Sequence, residues 1–290
     1  MKHSHSTSAI ETPSGKDQKY ENFPVGSWLL PANLRPHIAT FYLFARTIDD
    51  IADSALLPAE EKIERLSLFE ATLTGQVSGS AGYERGDAMR SSLLETKISI
   101  QHCLDLIIAF KRDVTKLRYS DWPSLMDYCR YSAAPVGRYL IDLHGGSETD
   151  YPPSDALCSA LQVLNHLQDC KEDFETMNRV YLPLDSLERH NVDVNDLSAD
   201  ISSTGLSEVK QEILQKIGTL IDVSQPLIRQ LKSRRLAMEA QSIINIARCL
   251  TSELASRDPL AERVHLSKWQ YARSCIVGVL AANTTQRLAA

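Results

Sequence analysis

Tyr42, Arg46, Asp49 and Asp53 recur at intervals of four, three and four residues in the run Phe41–Asp53. At about 3.6 residues per turn they share one narrow helical stripe. Leu34, Ile38, Phe41, Ala45, Ile48 and Ala52 form an apolar face beside it, so the carboxylates are expected at the margin of a cleft or cavity rather than in open solvent. Asp50 projects about 80 to 100° away from the stripe. It is expected to act through its charge and not as a ligand.

A second polar stripe lies far along the chain. Gln162, Asn165, Asp169 and Asp173 are spaced by three, four and four residues on an otherwise largely apolar segment, and polar atoms buried on such a helix need partners. One acidic stripe is weak, because i,i+4 charges usually face water or pair with lysine. Two on apolar helices are a stronger signal. If the helices pack antiparallel with the stripes facing, four or five carboxylates repel one another unless cations bind between them.

Oxygen-only donors from Asp49, Asp53, Asp169 and Asp173, with the Asn165 carbonyl, select a hard ion. Magnesium characteristically shares its shell with waters and substrate phosphates, which points to a diphosphate substrate. Such an ion neutralises charge that builds on a leaving group. Spacing places Arg46 equally well to donate to a phosphate oxygen or to pair with Asp49 or Asp50 in its own helix. Tyr42 and Tyr131 are candidate cavity aromatics whose ring faces can stabilise positive charge.

The elements that must carry these side chains all read as helices: 32–53, 59–76, further helical pattern to about 110, 122–143, 153–174, 184–190, 206–232, 234–256 and 267–288. No alternating pattern supports a sheet, so the expected fold class is all-α. Within 122–143, Pro135 removes a backbone donor and Gly137 lacks a side chain, so a kink is expected there, with close approach by another group or tight helix packing. Tyr131, Pro135, Arg138 and Asp142 would share a face. Arg112 and Lys116 are spaced i,i+4; such a charge run is usually solvated, with phosphate contact the less common alternative. Tyr128, Arg138, Arg263 and Lys268 are further candidates near the chemistry, and packing explains each nearly as well.

With 290 residues and 43% apolar content the chain can bury a substantial core. A net charge of −6 argues against general nucleic-acid binding. The six cysteines form no CxxC pair and are expected to be reduced core thiols. No apolar run reaches the roughly 18 residues of a membrane span. Residues 1–19 lack the apolar core of a secretory signal, which gives a loose amino-terminal tail and a cytoplasmic expectation. A lipid substrate can still bring the protein to the inner face of a membrane, where pathway enzymes would be its other partners. The proline-broken run Tyr20–Pro31 reads as a core anchor. There is neither a P-loop nor a GxGxxG after a strand.

Three runs together resemble the squalene/phytoene synthase family: FYLFARTIDDIAD, YCRYSAAPVGR and NHLQDCKEDFETMNRVYLP, in that order and over roughly residues 20–275. The resemblance implies a single isoprenoid-synthase-type helical bundle around a central cavity, spanning 20–290. It implies two or three Mg2+ ions bound with diphosphate by Asp49, Asp53, Asn165, Asp169 and Asp173, and a catalytic role for Tyr131. It places Tyr42, Arg46 and Gln162 at the substrate. Two departures stand out. Gln168 occupies a position where arginine is common, and the loop from Asp173 to Arg179 is one residue longer than usual, so no phosphate-binding role carries over to Arg179.

The runs ENFPV, FARTIDDIADS and DVTKLRY look like the bacterial hydroxysqualene synthase branch, associated with hopanoid biosynthesis. That implies presqualene diphosphate as substrate and water as the second reactant, without NADPH. The alternatives are head-to-head condensation of farnesyl diphosphate, to presqualene diphosphate or squalene, and a non-catalytic assembly protein. Clustered buried acids weigh against the last.

Overall fold

Among the described residues, the first helix lies where the sequence offers an uninterrupted apolar face. The computed structural model describes residues 30–289, with side chains to Arg287; the expected tail over 1–19 and most of the run Tyr20–Pro31 lie outside the described residues. Helix α1 (Arg35–Asp53) has Pro36 in its first turn, where a missing donor costs nothing. Its buried face is Ile38, Phe41, Phe44, Thr47, Ile48, Ile51 and Ala52. Phe44 and Ile51 thus join the expected apolar face, while Leu34 and Ala45 stay half-buried. Phe41 stacks on Tyr139 with ring centroids 4.0 Å apart.

Helices α2 (Ala59–Thr74), α3 (Glu84–Thr96) and α4 (Gln101–Thr115) pack around α1. Gly75, at φ 77°, closes α2 in the left-handed conformation that favours glycine. The expected 122–143 helix is two helices: α5 (Trp122–Ser132) and α6 (Ala134–Leu143), separated at Ala133. Pro135 in the first turn of α6 has no N–H to continue α5, so the chain breaks where a kink was expected. Gly137 then settles its own alternatives. A side chain there would meet Ser154 Oγ at 2.3 Å and Cys158 Sγ at 2.7 Å, so the glycine serves close packing against the next helix.

That helix, α7 (Tyr151–Gln168), is entered through a one-turn 3-10 segment with a Ser147/Asp150 capping box. The expected 153–174 helix is interrupted at Asp169, and α8 (Cys170–Met177) follows. After α9 (Leu184–Arg189), α10 (Thr204–Ser224) packs on α7. Pro226 separates α10 from the short α11 (Leu227–Gln230), which divides the expected 206–232 helix. Helix α12 (Arg234–Ser256) lies against α10, and α13 (Lys268–Ala289) lies along α12. Among the described residues there is no strand, only an isolated parallel bridge between Arg118 and Val180. The fold is all-α as expected.

All six cysteines are free thiols, and burial pushes Cys129, Cys158 and Cys170 up to about 12.

Helices α12 and α13 approach closely at Gly278, where an added Cβ would lie 2.5 Å from Ser242 Cα and 2.6 Å from its backbone nitrogen. Backbone cannot rotate away. Gly278→Ala should therefore cost about 1–3 kcal/mol through overpacking, although alanine is the better helix former by about 1 kcal/mol. Thermal unfolding checks it: a melting temperature at or above that of the wild type would rule out this packing.

Candidate active site

The acids of α1 form a crowded group at its carboxyl-terminal end. Arg46 lies 3.3 Å from Asp49 and 2.8 Å from Asp50, so it spans both intrahelical partners. Desolvation, followed by repulsion from Asp53, holds the Asp49 carboxyl well above the ordinary range; Asp50 and the buried Asp113 of α4 add to this, and Arg46 opposes it. Asp50 is closed off by its ion pair, in keeping with a charge role.

Asp53 is held by a residue distant in the sequence. Arg179 Nη1 donates to Asp53 Oδ1 at 2.5 Å, Nη2 donates to the Ala52 carbonyl at 3.1 Å and Nε donates to the Asp113 carbonyl at 3.1 Å. Only 6% of Arg179 is exposed. Its placement is set locally: Asn178 ends α8 at φ 53°, and the chain then reverses so that Arg179 N donates to Asp173 O. Arg118 fixes the turn by donating to both the carbonyl and Oδ1 of Asn178. Val180 N donates to Leu117 O and Leu184 N to Tyr119 O, docking 179–184 beside 117–119. Lys62 Nζ donates to the same Ala52 carbonyl at 2.9 Å.

Behind this pair lies a buried aromatic group. Asp113, 3% exposed, accepts from Tyr128 Oη at 2.7 Å and Tyr181 Oη at 2.9 Å. Burial pushes its carboxyl up to about 6, opposed by Arg179 and the two phenols. Tyr181 stacks on His166 of α7 at 3.5 Å, and Tyr119 packs on both Tyr128 and Tyr181. His166 Nε2 contacts Gln162 at 3.2 Å, and its Nδ1 lies 3.8 Å from Asp173 Oδ2. A continuous set of contacts therefore runs from Asp53 through Arg179, Asp113, Tyr181 and His166 to Asp173.

Of the expected site residues, Tyr42, Arg46, Asp49 and Asp53 share α1, and Gln162, Asn165, Asp169 and Asp173 lie along α7 and the start of α8. Among the described residues no three acidic, His or Cys side chains gather into a metal-ligand group. The donor set nevertheless suits a hard divalent ion. Asp49 and Asp53, with the charges of Asp50 and Asp113 beside them, outnumber Arg46, Arg179 and Lys62, and every donor is oxygen.

The Arg112 guanidinium lies 4.2 Å over the Tyr131 ring, and Arg112 also pairs with Asp127 at 2.9 Å. Lys116 ends α4 and donates to Ser124. Arg138 is held by both oxygens of Asp155, and Asp142 by His102 and Tyr151, so the break at Ala133 divides the face they were expected to share with Tyr131.

Sequence reasoning missed Asp113 and Tyr181 and gave Arg179 no role. Asp113 lies in the DVTKLRY run, among charges that resemble a solvated face. Its only local signal is the apolar run of α4 leading into it.

Removing one partner of a buried ion pair strands the other charge, at about 3–5 kcal/mol, whereas half-exposed intrahelical pairs contribute about 1 kcal/mol or less. Arg179→Gln should thus lower the urea midpoint far more than Arg46→Gln. Equal losses would show that the Arg179 network does not hold these segments together.

Residues 16–270 match the squalene/phytoene synthase family. A hydroxysqualene synthase of Rhodopseudomonas palustris is 45% identical over 267 residues, covering 91% of this chain and 90% of that one. One of Zymomonas mobilis is 39% identical over 270 residues, covering 92% and 90%. The crystal structure of squalene synthase HpnC from Alicyclobacillus acidocaldarius superposes with a TM-score of 0.71 at 31% identity, covering 80% of this chain and 87% of that chain. A dehydrosqualene synthase structure shares the fold at a TM-score of 0.73 and 17% identity, covering 88% and 89%. By sequence and by fold, this chain belongs to the squalene/phytoene synthase family.

Proposed function

We propose that the protein is a hydroxysqualene synthase that converts presqualene diphosphate and water to hydroxysqualene and diphosphate. The observation that carries the reading is the crowd of carboxylates at the end of α1, built beside a buried aromatic group, in a chain whose near-full-length relatives bear that name. In this reading Asp49 and Asp53 on one side, and Asn165, Asp169 and Asp173 on the other, hold Mg2+. The ion supplies positive charge to the diphosphate leaving group.

The chain's own residues do the rest. Arg179 occupies Asp53 Oδ1 and so orients that carboxylate. Arg46, poised between Asp49 and Asp50, can turn one donor to a phosphate oxygen. The carbon–oxygen bond breaks with its electron pair going to diphosphate, and the cyclopropylcarbinyl cation rearranges within an apolar, aromatic surround that includes Tyr42. Water then forms the new carbon–oxygen bond and gives up a proton. Tyr131 acts in this reading as a catalytic aromatic, with Gln162 at the substrate. No electron leaves or enters, so NADPH is not required.

A second reading rests on the structural neighbour named squalene synthase: condensation of two farnesyl diphosphates. Purified protein with Mg2+, given each diphosphate with and without NADPH and followed by mass spectrometry, distinguishes them. Hydroxysqualene from presqualene diphosphate without NADPH is the expected product; consumption of farnesyl diphosphate alone would overturn the first reading.

Asp53→Asn and Asp169→Asn should each lower turnover by a factor on the order of 10² or more while circular dichroism stays helical. Chelation should have the same effect, reversed by added Mg2+. Substantial turnover in either variant would remove the carboxylates from the metal site.

A further inference from the structure

Helix α13 is built with its faces inverted. The side packed on α12 is made of small residues, Ser274, Gly278 and Ala282, all buried. The large apolar side chains point outward: Trp269 is 75% exposed, Ile276 59%, Val277 48% and Leu280 62%. With the exposed Ala272 and Ala281 they cover about half of the helix circumference along about 17 Å, with the exposed Arg273 set among them. Single exposed apolar residues are ordinary, but a contiguous apolar face marks an interaction surface.

Charge identifies the partner. Helix α13 carries Lys268, Arg273 and Arg287 and not one Asp or Glu, in a chain whose net charge is −6. The neighbouring acids, Glu239 and Glu253, belong to α12; Glu253 accepts from Gln270, and Glu239 is buried. We propose that α13 docks the protein on an anionic lipid surface, the apolar face entering the headgroup boundary while Arg273 and Arg287 meet lipid phosphates.

A second copy fits less well. A twofold contact through this face would bring together two helices without an acid to pair their cations. The chain's own residues 1–29 offer no complementary charge either, with three Lys against three Asp or Glu. No helix among the described residues is long and apolar enough to cross a membrane, so the contact is peripheral. It would give the enzyme direct access to a lipid substrate, and in that respect it rests on the proposed function.

The test is co-sedimentation of the full chain with vesicles of phosphatidylcholine alone or with added phosphatidylglycerol, which does not depend on activity. Binding is expected only with the anionic lipid and should weaken with salt. Trp269→Ser/Ile276→Ser/Leu280→Ser should lower partitioning more than about tenfold. Arg273→Gln/Arg287→Gln should lower it about fivefold per charge removed. Turnover of detergent-dispersed presqualene diphosphate should be unchanged in both variants.

Equal binding by wild type and the serine variant would overturn the proposal, as would no binding at all. Self-association abolished by the serine substitutions would reassign the face to a protein contact. A Trp269 shielded from aqueous quenchers without vesicles would show that the chain itself covers it.

Discussion

A buried guanidinium cannot be left alone in a protein interior, and Arg179 is the constraint from which the rest of the site follows. Desolvation works against its charge, and it is offset only because Asp53, two backbone carbonyls and the nearby Asp113 carboxylate converge on it. The partners belong to two segments, the last turn of α1 and the end of α4, and Arg179 itself to a third, the loop after α8. Satisfying one side chain therefore fixes three pieces of chain relative to one another. The left-handed turn at Asn178 is what makes the approach possible, and asparagine tolerates that backbone better than most residues.

The same network explains how two separated acidic motifs are held in register. Asp113 satisfies two buried phenols, Tyr128 and Tyr181, and Tyr181 stacks on His166 one turn before the second acidic motif. Direct contact between the motifs would bring like charges together. The protein instead joins them through a cation, a shared buried carboxylate and aromatic rings, and leaves the carboxylates of α1 crowded among themselves. Their crowding is offset by Arg46 within the helix and by Arg179 from outside it.

Much of this was legible in the residues because periodicity survives burial. The α1 stripe, the α7 stripe and the all-helical class depend on spacing alone. The break at Asp169 was not legible: Asp173 N still donates to Asp169 O, so the pattern of side chains continues across a local distortion that only backbone geometry reveals. At Ala133 the Pro135 signal was present, but a proline can kink a helix or end it, and packing of α6 on α7 through Gly137 decided for the end. Arg112 and Asp113 are adjacent in a charged run, yet one lies half-buried over Tyr131 and the other is deeply buried. No local rule separates them, since the difference comes from the reversal of residues 179–184 onto that segment.

Arg179 itself shows where family pattern and physical setting part. A longer loop and the replacement at Gln168 removed the grounds for giving it a phosphate role. Gln168 is buried and donates to the Val264 carbonyl, ahead of α13, so a neutral amide is tied where a guanidinium would need a counter-charge. The cation nearest the α1 acids is then Arg179, committed through all three of its nitrogens to protein acceptors. A side chain so committed positions Asp53. Contact with a phosphate would require giving up buried hydrogen bonds, whereas Arg46, half-exposed between two carboxylates on one helix, can exchange one partner at much lower cost.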